Sequence, residues 1–165
     1  ALNARHIQAK SAPDLAPSLL PLLKDLGIAA ENDTFTHKVI ETLQPRSKTL
    51  VEMAASARFY YVDAPDIDEK AAAKFLTPDT ADILTRAADA IESLTDFTQE
   101  NLEAVFKKIM ADCDLGFGKI AQPLRVAVTG TTVSPGIFEM LLALGKDKTV
   151  YRIRRALSVT ASGSS

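Results

Sequence analysis

Apolar residues recur every three or four positions through most of the chain, the spacing that puts them on one face of an α-helix. The pattern is cleanest over residues 78–94, where Ile83, Leu84, Ala87, Ala88, Ile91 and Leu94 form one stripe behind Thr77 as N-cap. Residues 99–113, behind Thr98, repeat it with Leu102, Val105, Phe106, Ile109, Met110 and Cys113. Residues 14–26 align Leu15, Leu19, Leu22, Leu23 and Leu26, and Gly27 stands where a C′ glycine belongs. Pro17 and Pro21 argue against an unbroken helix there, since each removes a hydrogen bond. Shorter helices are expected over 36–43, stopped by Pro45; over 47–58, with Leu50, Val51 and Met53 inward; and over 137–144 and 149–157. The chain is therefore all-α, with the acidic, proline-broken stretch from Asp63 to Glu69 separating two helical subdomains. These are residues 1–64 and 65–157, followed by a small polar tail, 158–165, expected to fray.

One segment departs from the helical pattern. Leu124 to Val128 reads as an extended run closed by Thr129-Gly130. Ser134-Pro135-Gly136 then reads as a helix start, with Ser134 as N-cap and Pro135 at the first helical position. The result is a loop leading to a helix N-terminus, with Arg125 before it and Phe138 behind it. Such a place favours an anion or the acceptor edge of a base.

At 165 residues the chain has room for one ordinary domain or two small ones, and 47% apolar with 24% charged residues is the normal globular range. No apolar run approaches the ~20 residues needed to span a bilayer, and no basic-then-apolar leader opens the chain. The single cysteine, Cys113, excludes an internal disulfide, reads as a small core hydrophobe and makes a cytoplasmic location the expectation. The net charge of −2 conceals an asymmetry: residues 119–157 carry seven basic and two acidic residues, net +5, which leaves −7 elsewhere. A basic third of this kind suits a local RNA contact or, alternatively, an ordinary solvated face.

The usual catalytic and metal-binding patterns are missing. Two histidines and one cysteine, far apart, do not make a zinc site, and 63–69 lacks the glycine of a calcium loop. Gly116-Phe117-Gly118-Lys119 is too short for a phosphate loop. Neither His6 nor His37 has an obvious nucleophile or metal partner.

The order Ala121-Gln122-Pro123-Leu124-Arg125, Val128-Thr129-Gly130 and Ser134-Pro135-Gly136-Ile137-Phe138, then Leu144-Gly145-Lys146 and Arg152-Ile153, closely resembles the anticodon-binding region of bacterial glutamyl-tRNA synthetases. Looser likeness extends to Leu2-Asn3, His6-Ile7 and Arg46-Ser47-Lys48-Thr49-Leu50, so it covers nearly everything but the tail. The resemblance implies two packed helical anticodon-binding subdomains, cut from a class I synthetase whose catalytic Rossmann domain is absent. Neither the His-Ile-Gly-His nor the Lys-Met-Ser-Lys-Ser signature occurs, and His6-Ile7-Gln8-Ala9 lacks the glycine. The chain should therefore catalyse nothing itself and hold no cofactor or metal, ATP and Mg being used by the parent.

By the same resemblance its partners are the anticodon loop of tRNA(Glu) and the parent's catalytic domain, and it is a monomer. Arg125 would hydrogen-bond a base. Ser134 and Pro135 would present the helix start, Ile137 and Phe138 an apolar wall, and Gln122 a further contact. Arg46, or Lys48 beside it, would read the third anticodon base, while Arg152, Arg155 and Lys119 would hold phosphates. Phe138 could equally be core. Two other functions stay open: a freestanding module binding a protein through the aromatic 59–62 patch, and a synthetase paralogue with another RNA target.

Overall fold

The computed structural model describes residues 4–163. Leu2 and Asn3 of the resemblance, and Ser164 and Ser165 of the expected tail, lie outside the described residues. Among the described residues there are ten α-helices, one 3-10 turn and no strand, so the all-α expectation holds. The chain divides into two compact units, one ending at Asp63 and the other beginning at Ala64.

The first unit contains α1 (Ala4–Ala9), α2 (Ala12–Asp25), α3 (Thr34–Leu43), a 3-10 turn (Gln44–Arg46) and α4 (Leu50–Tyr61). Despite its prolines α2 is continuous. Pro13, Pro17 and Pro21 recur every four residues and are exposed, while Leu15, Leu19 and Leu23 on the opposite side are buried. The missing N–H groups thus fall on the solvent side, where water can satisfy the carbonyls they leave. Gly27, at φ +80°, ends α2 as expected: its N–H donates to the Lys24 carbonyl and that of Ile28 to Leu23.

Three expectations for α4 fail, the first being its start, which is at Leu50 behind Thr49 as N-cap and not at Ser47. Val51 faces solvent, and the helix runs three residues beyond Arg58 to take in Phe59, Tyr60 and Tyr61. Tyr60 is fully buried with its hydroxyl 2.7 Å from Thr42 Oγ1, and the Tyr61 hydroxyl lies 2.7 Å from Thr36 Oγ1. Burial pushes the Tyr61 phenol above its ordinary pKa. Of the 59–62 segment Tyr60 is therefore core, while Phe59, Tyr61 and Val62 are half-buried.

The second unit contains α5 (Glu69–Phe75), α6 (Pro78–Glu92), α7 (Gln99–Cys113), α8 (Phe117–Thr129), α9 (Ile137–Leu144) and α10 (Lys146–Gly163). The α6 and α7 stripes are inward as expected, with Cys113 only half-buried at the end of α7. The helix α10 extends past Leu157 into the expected tail. Thr160 is buried and its hydroxyl donates to the Ala156 carbonyl, so this part of the tail is packed helix.

The extended run at Leu124–Val128 is corrected as well. It lies within α8, a helix packed against α5, α6, α7 and α10. A helix covered on nearly all sides loses the polar positions that mark its period, and packing overrides the β preference of Val126 and Val128.

Asp33 caps α3, its carboxylate accepting the Thr36 N–H at 2.9 Å, and this bond holds its pKa below the ordinary 3.8. A depressed carboxylate adds stability that is complete above its unfolded value and is lost as pH falls through the folded one. Asp33→Asn, which keeps a capping oxygen, should therefore flatten the loss of stability below about pH 4. Urea melts of both proteins from pH 6 to pH 3 measure this; parallel curves would contradict it.

Candidate nucleic-acid interface

Between Ile120 and Gly130 only Gln122 and Arg125 escape full burial, and three residues apart they share one face of α8. The chain leaves α8 at Gly130 and returns so that Ser134 and Pro135 meet this face. Arg125 Nη1 donates to Ser134 Oγ at 2.6 Å and to the Pro135 carbonyl at 3.0 Å. These two bonds orient the guanidinium. Gln122 is half-buried, with Oε1 shielded from solvent and lacking a hydrogen-bond partner.

The return depends on how α8 ends. Gly130 has φ +85°, and an added Cβ would lie 2.0 Å from the Asp66 carbonyl oxygen. Its own carbonyl accepts the Asp68 N–H at 2.8 Å, so residues 65–68 form a strap across the turn. Thr129 turns its hydroxyl to the carbonyls of Arg125 and Thr131, at 2.7 and 3.0 Å. The exposed tip of the loop is Thr131, Thr132 and Val133, with Val133 79% exposed. Only Thr129-Gly130, a helix-ending pair, hinted at this arrangement in the sequence.

Ser134 is not the N-cap expected of it. It is 8% exposed and faces Arg125; α9 starts at Ile137 with Gly136 as N-cap. Glu139 Oε1 accepts the Gly136 N–H at 3.0 Å, the carboxylate half of a capping box. A glutamate three residues after Gly136 was the signal that places the true start. Pro135 and Ile137 are buried, so Ile137 packs inside and offers no outward wall. Phe138 is half-buried, its ring centroid 4.9 Å from that of Phe106 and 5.8 Å from that of Phe117.

The expected phosphate ligands separate. Arg152 is corrected: it is 1% exposed, and its Nη1 donates to the Val128 carbonyl at 2.9 Å, in the last turn of α8. A cation suits the negative end of a helix, and this one is structural. Half-buried Arg155 donates to the Pro65 carbonyl at 3.1 Å and so pins the strap. Lys119 is exposed in the first turn of α8. Arg46 and Lys48 are exposed in the first unit, at and just after its 3-10 turn.

A family profile described as an anticodon binding domain matches residues 14–157. The chain belongs to that family. Among the relatives of this anticodon-binding domain are the glutamate–tRNA ligases of Desulfosudis oleivorans, 48% identical over 96% of the chain, and of Geobacter sulfurreducens, 42% identical over 95%. The chain spans 34% of the length of each, about a third. In structure it is similar to a glutamate tRNA ligase from Elizabethkingia meningosepticum, with TM-score 0.83 and 26% identity over 94% of this chain and 31% of that one.

Gly130→Ala should destabilise the domain by more than the roughly 1–2 kcal/mol of a left-handed alanine alone, because the Asp66 carbonyl must also move. Equilibrium urea unfolding measures the loss. A change within about 0.5 kcal/mol, the range of an ordinary surface substitution, would mean that the strap is loose.

Proposed function

We propose that this anticodon-binding domain is the C-terminal part of a glutamate–tRNA ligase and reads the anticodon loop of tRNA(Glu). In doing so it positions that tRNA for ATP-dependent aminoacylation by a catalytic domain elsewhere in the parent. Family membership and the named relatives support the class of partner. The observation that carries the residue assignment is the guanidinium of Arg125, oriented by Ser134 and Pro135 on the open stripe of a buried helix. Unstacked loop bases are read by hydrogen bonds to their edges from side chains held in place, and Arg is suited to such acceptors.

On this reading Arg125 contacts a base, and Ser134 and Pro135 act by holding it. Gln122 borders the same base, and Phe138 backs the surface. Lys119 meets phosphate, and Arg46 contributes from the first unit. ATP and Mg belong to the parent's catalytic half, whose class I signatures this chain lacks, so no chemical step is assigned to these residues. Among the described residues no helix is long and apolar enough to cross a membrane.

Arg125→Ala should weaken binding of a glutamate anticodon stem-loop by about 1–3 kcal/mol and relax preference at one anticodon position. Fluorescence anisotropy on stem-loops altered one base at a time, with melting followed in parallel, measures both. A folded variant that keeps the wild-type affinity and ranking would make Arg125 purely structural. Wild-type binding should also fall as salt rises, since bound phosphates release counterions. Equal affinity for unrelated stem-loops would favour a paralogue with another RNA target.

A further inference from the structure

Phe117 has no part in the site described so far, yet it is the outermost of three mutually touching rings. Phe106 is buried, Phe138 half-buried and Phe117 42% exposed. The Phe117 centroid lies 5.6 Å from that of Phe106 and 5.8 Å from that of Phe138. Phe138 in turn follows Pro135, whose carbonyl holds Arg125, by three residues. Phe117 stands in the first turn of α8, about two turns before Arg125 on the same helix.

Gly116 and Gly118 are the chain neighbours of Phe117, and neither has a positive φ. A Cβ added to either would meet nothing within 4 Å. Gly118 lies inside α8, where glycine is disfavoured against alanine, and neither backbone nor packing requires it. Lys119, exposed two residues after Phe117, places a positive charge on the same turn of α8. Of the nearby carboxylates, Asp112 is drawn to Lys108 at 3.3 Å and Arg86 at 3.8 Å, while Asp114 at the α7 end is exposed.

A flat exposed ring backed by further rings, with an exposed lysine on the same helix turn, suits the face of an unpaired nucleobase whose phosphate that lysine can reach. We infer that Phe117 is a second stacking platform for the same RNA, taking an unpaired loop base other than the one met by Arg125, with Lys119 on its phosphate. This rests on the anticodon-binding reading above and adds to it a residue and a contact.

The chain contains no tryptophan, so Phe117→Trp places a single indole at the platform. Tyr151→Trp, on α10 at a position 58% exposed, is the control for mere proximity. Titration with a glutamate anticodon stem-loop should quench the indole at 117 strongly and that at 151 little. A fully paired duplex of the same stem should quench neither. Phe117→Leu keeps apolar bulk against Phe106 and Phe138 but removes the π face. It should melt like wild type and bind roughly 5- to 150-fold more weakly, with Phe117→Tyr restoring affinity. If wild type and Phe117→Leu bind the stem-loop equally and the indole at 117 is unquenched, Phe117 is only the edge of the core. The anticodon-binding reading would survive that result. Absence of stem-loop binding by the wild-type chain would overturn both.

Discussion

A helix buried along most of its length must find partners for its last carbonyls, because water does not reach them. In α8 that requirement organises the second unit. Arg152 donates to the Val128 carbonyl from α10, the Thr129 hydroxyl turns back to Arg125, and the Gly130 N–H closes on Val126. Gly130 then takes the left-handed conformation that sends the chain back along its own helix, under the strap from Pro65 to Asp68. Because the chain returns, Ser134 and Pro135 arrive beside Arg125. The same geometry that satisfies the end of α8 orients a guanidinium at its middle.

The basic third of the sequence changes meaning in this light. Lys146 donates to the Glu92 and Leu94 carbonyls at the end of α6, Arg152 to the end of α8, and Arg155 to the strap. Arg154 pairs with Asp89 and Glu92 on the surface, an arrangement worth little to stability. Much of the positive charge therefore ties α10 to its neighbours and does not wait for phosphate. A charge count along a chain cannot separate these uses, because both place cations near oxygen atoms.

What could be read beforehand follows from solvent exposure. The helices α6 and α7 keep one wet face, so their polar positions mark the period, and α7 begins and ends where its stripe and its threonine cap indicate. The helix α8 has almost no wet face and resembles a strand when read locally. The span of α9 is legible, but its cap lies two residues after the one expected because Ser134, a good cap in isolation, is claimed by Arg125, while Glu139 caps from inside the helix. Arg125, Ser134 and Pro135 do come together, as the motif suggested, though on a helix and a loop of different form, while Phe138 packs on Phe106 and Phe117. Phe117 was set aside with a short glycine motif because nothing in the sequence shows which face of a ring is left open.

On the proposed function, the α8 stripe and the loop returning to it form the RNA-contacting surface. Amide chemical-shift mapping of the isotope-labelled chain during titration with a glutamate anticodon stem-loop tests it most directly. Within the second unit, the largest perturbations should fall on Phe117, Lys119, Gln122 and Arg125 and on Thr131–Ser134 and Gly136–Phe138. Perturbations confined to other surfaces, such as the solvent-facing sides of α6 and α7, with these residues unmoved, would contradict it.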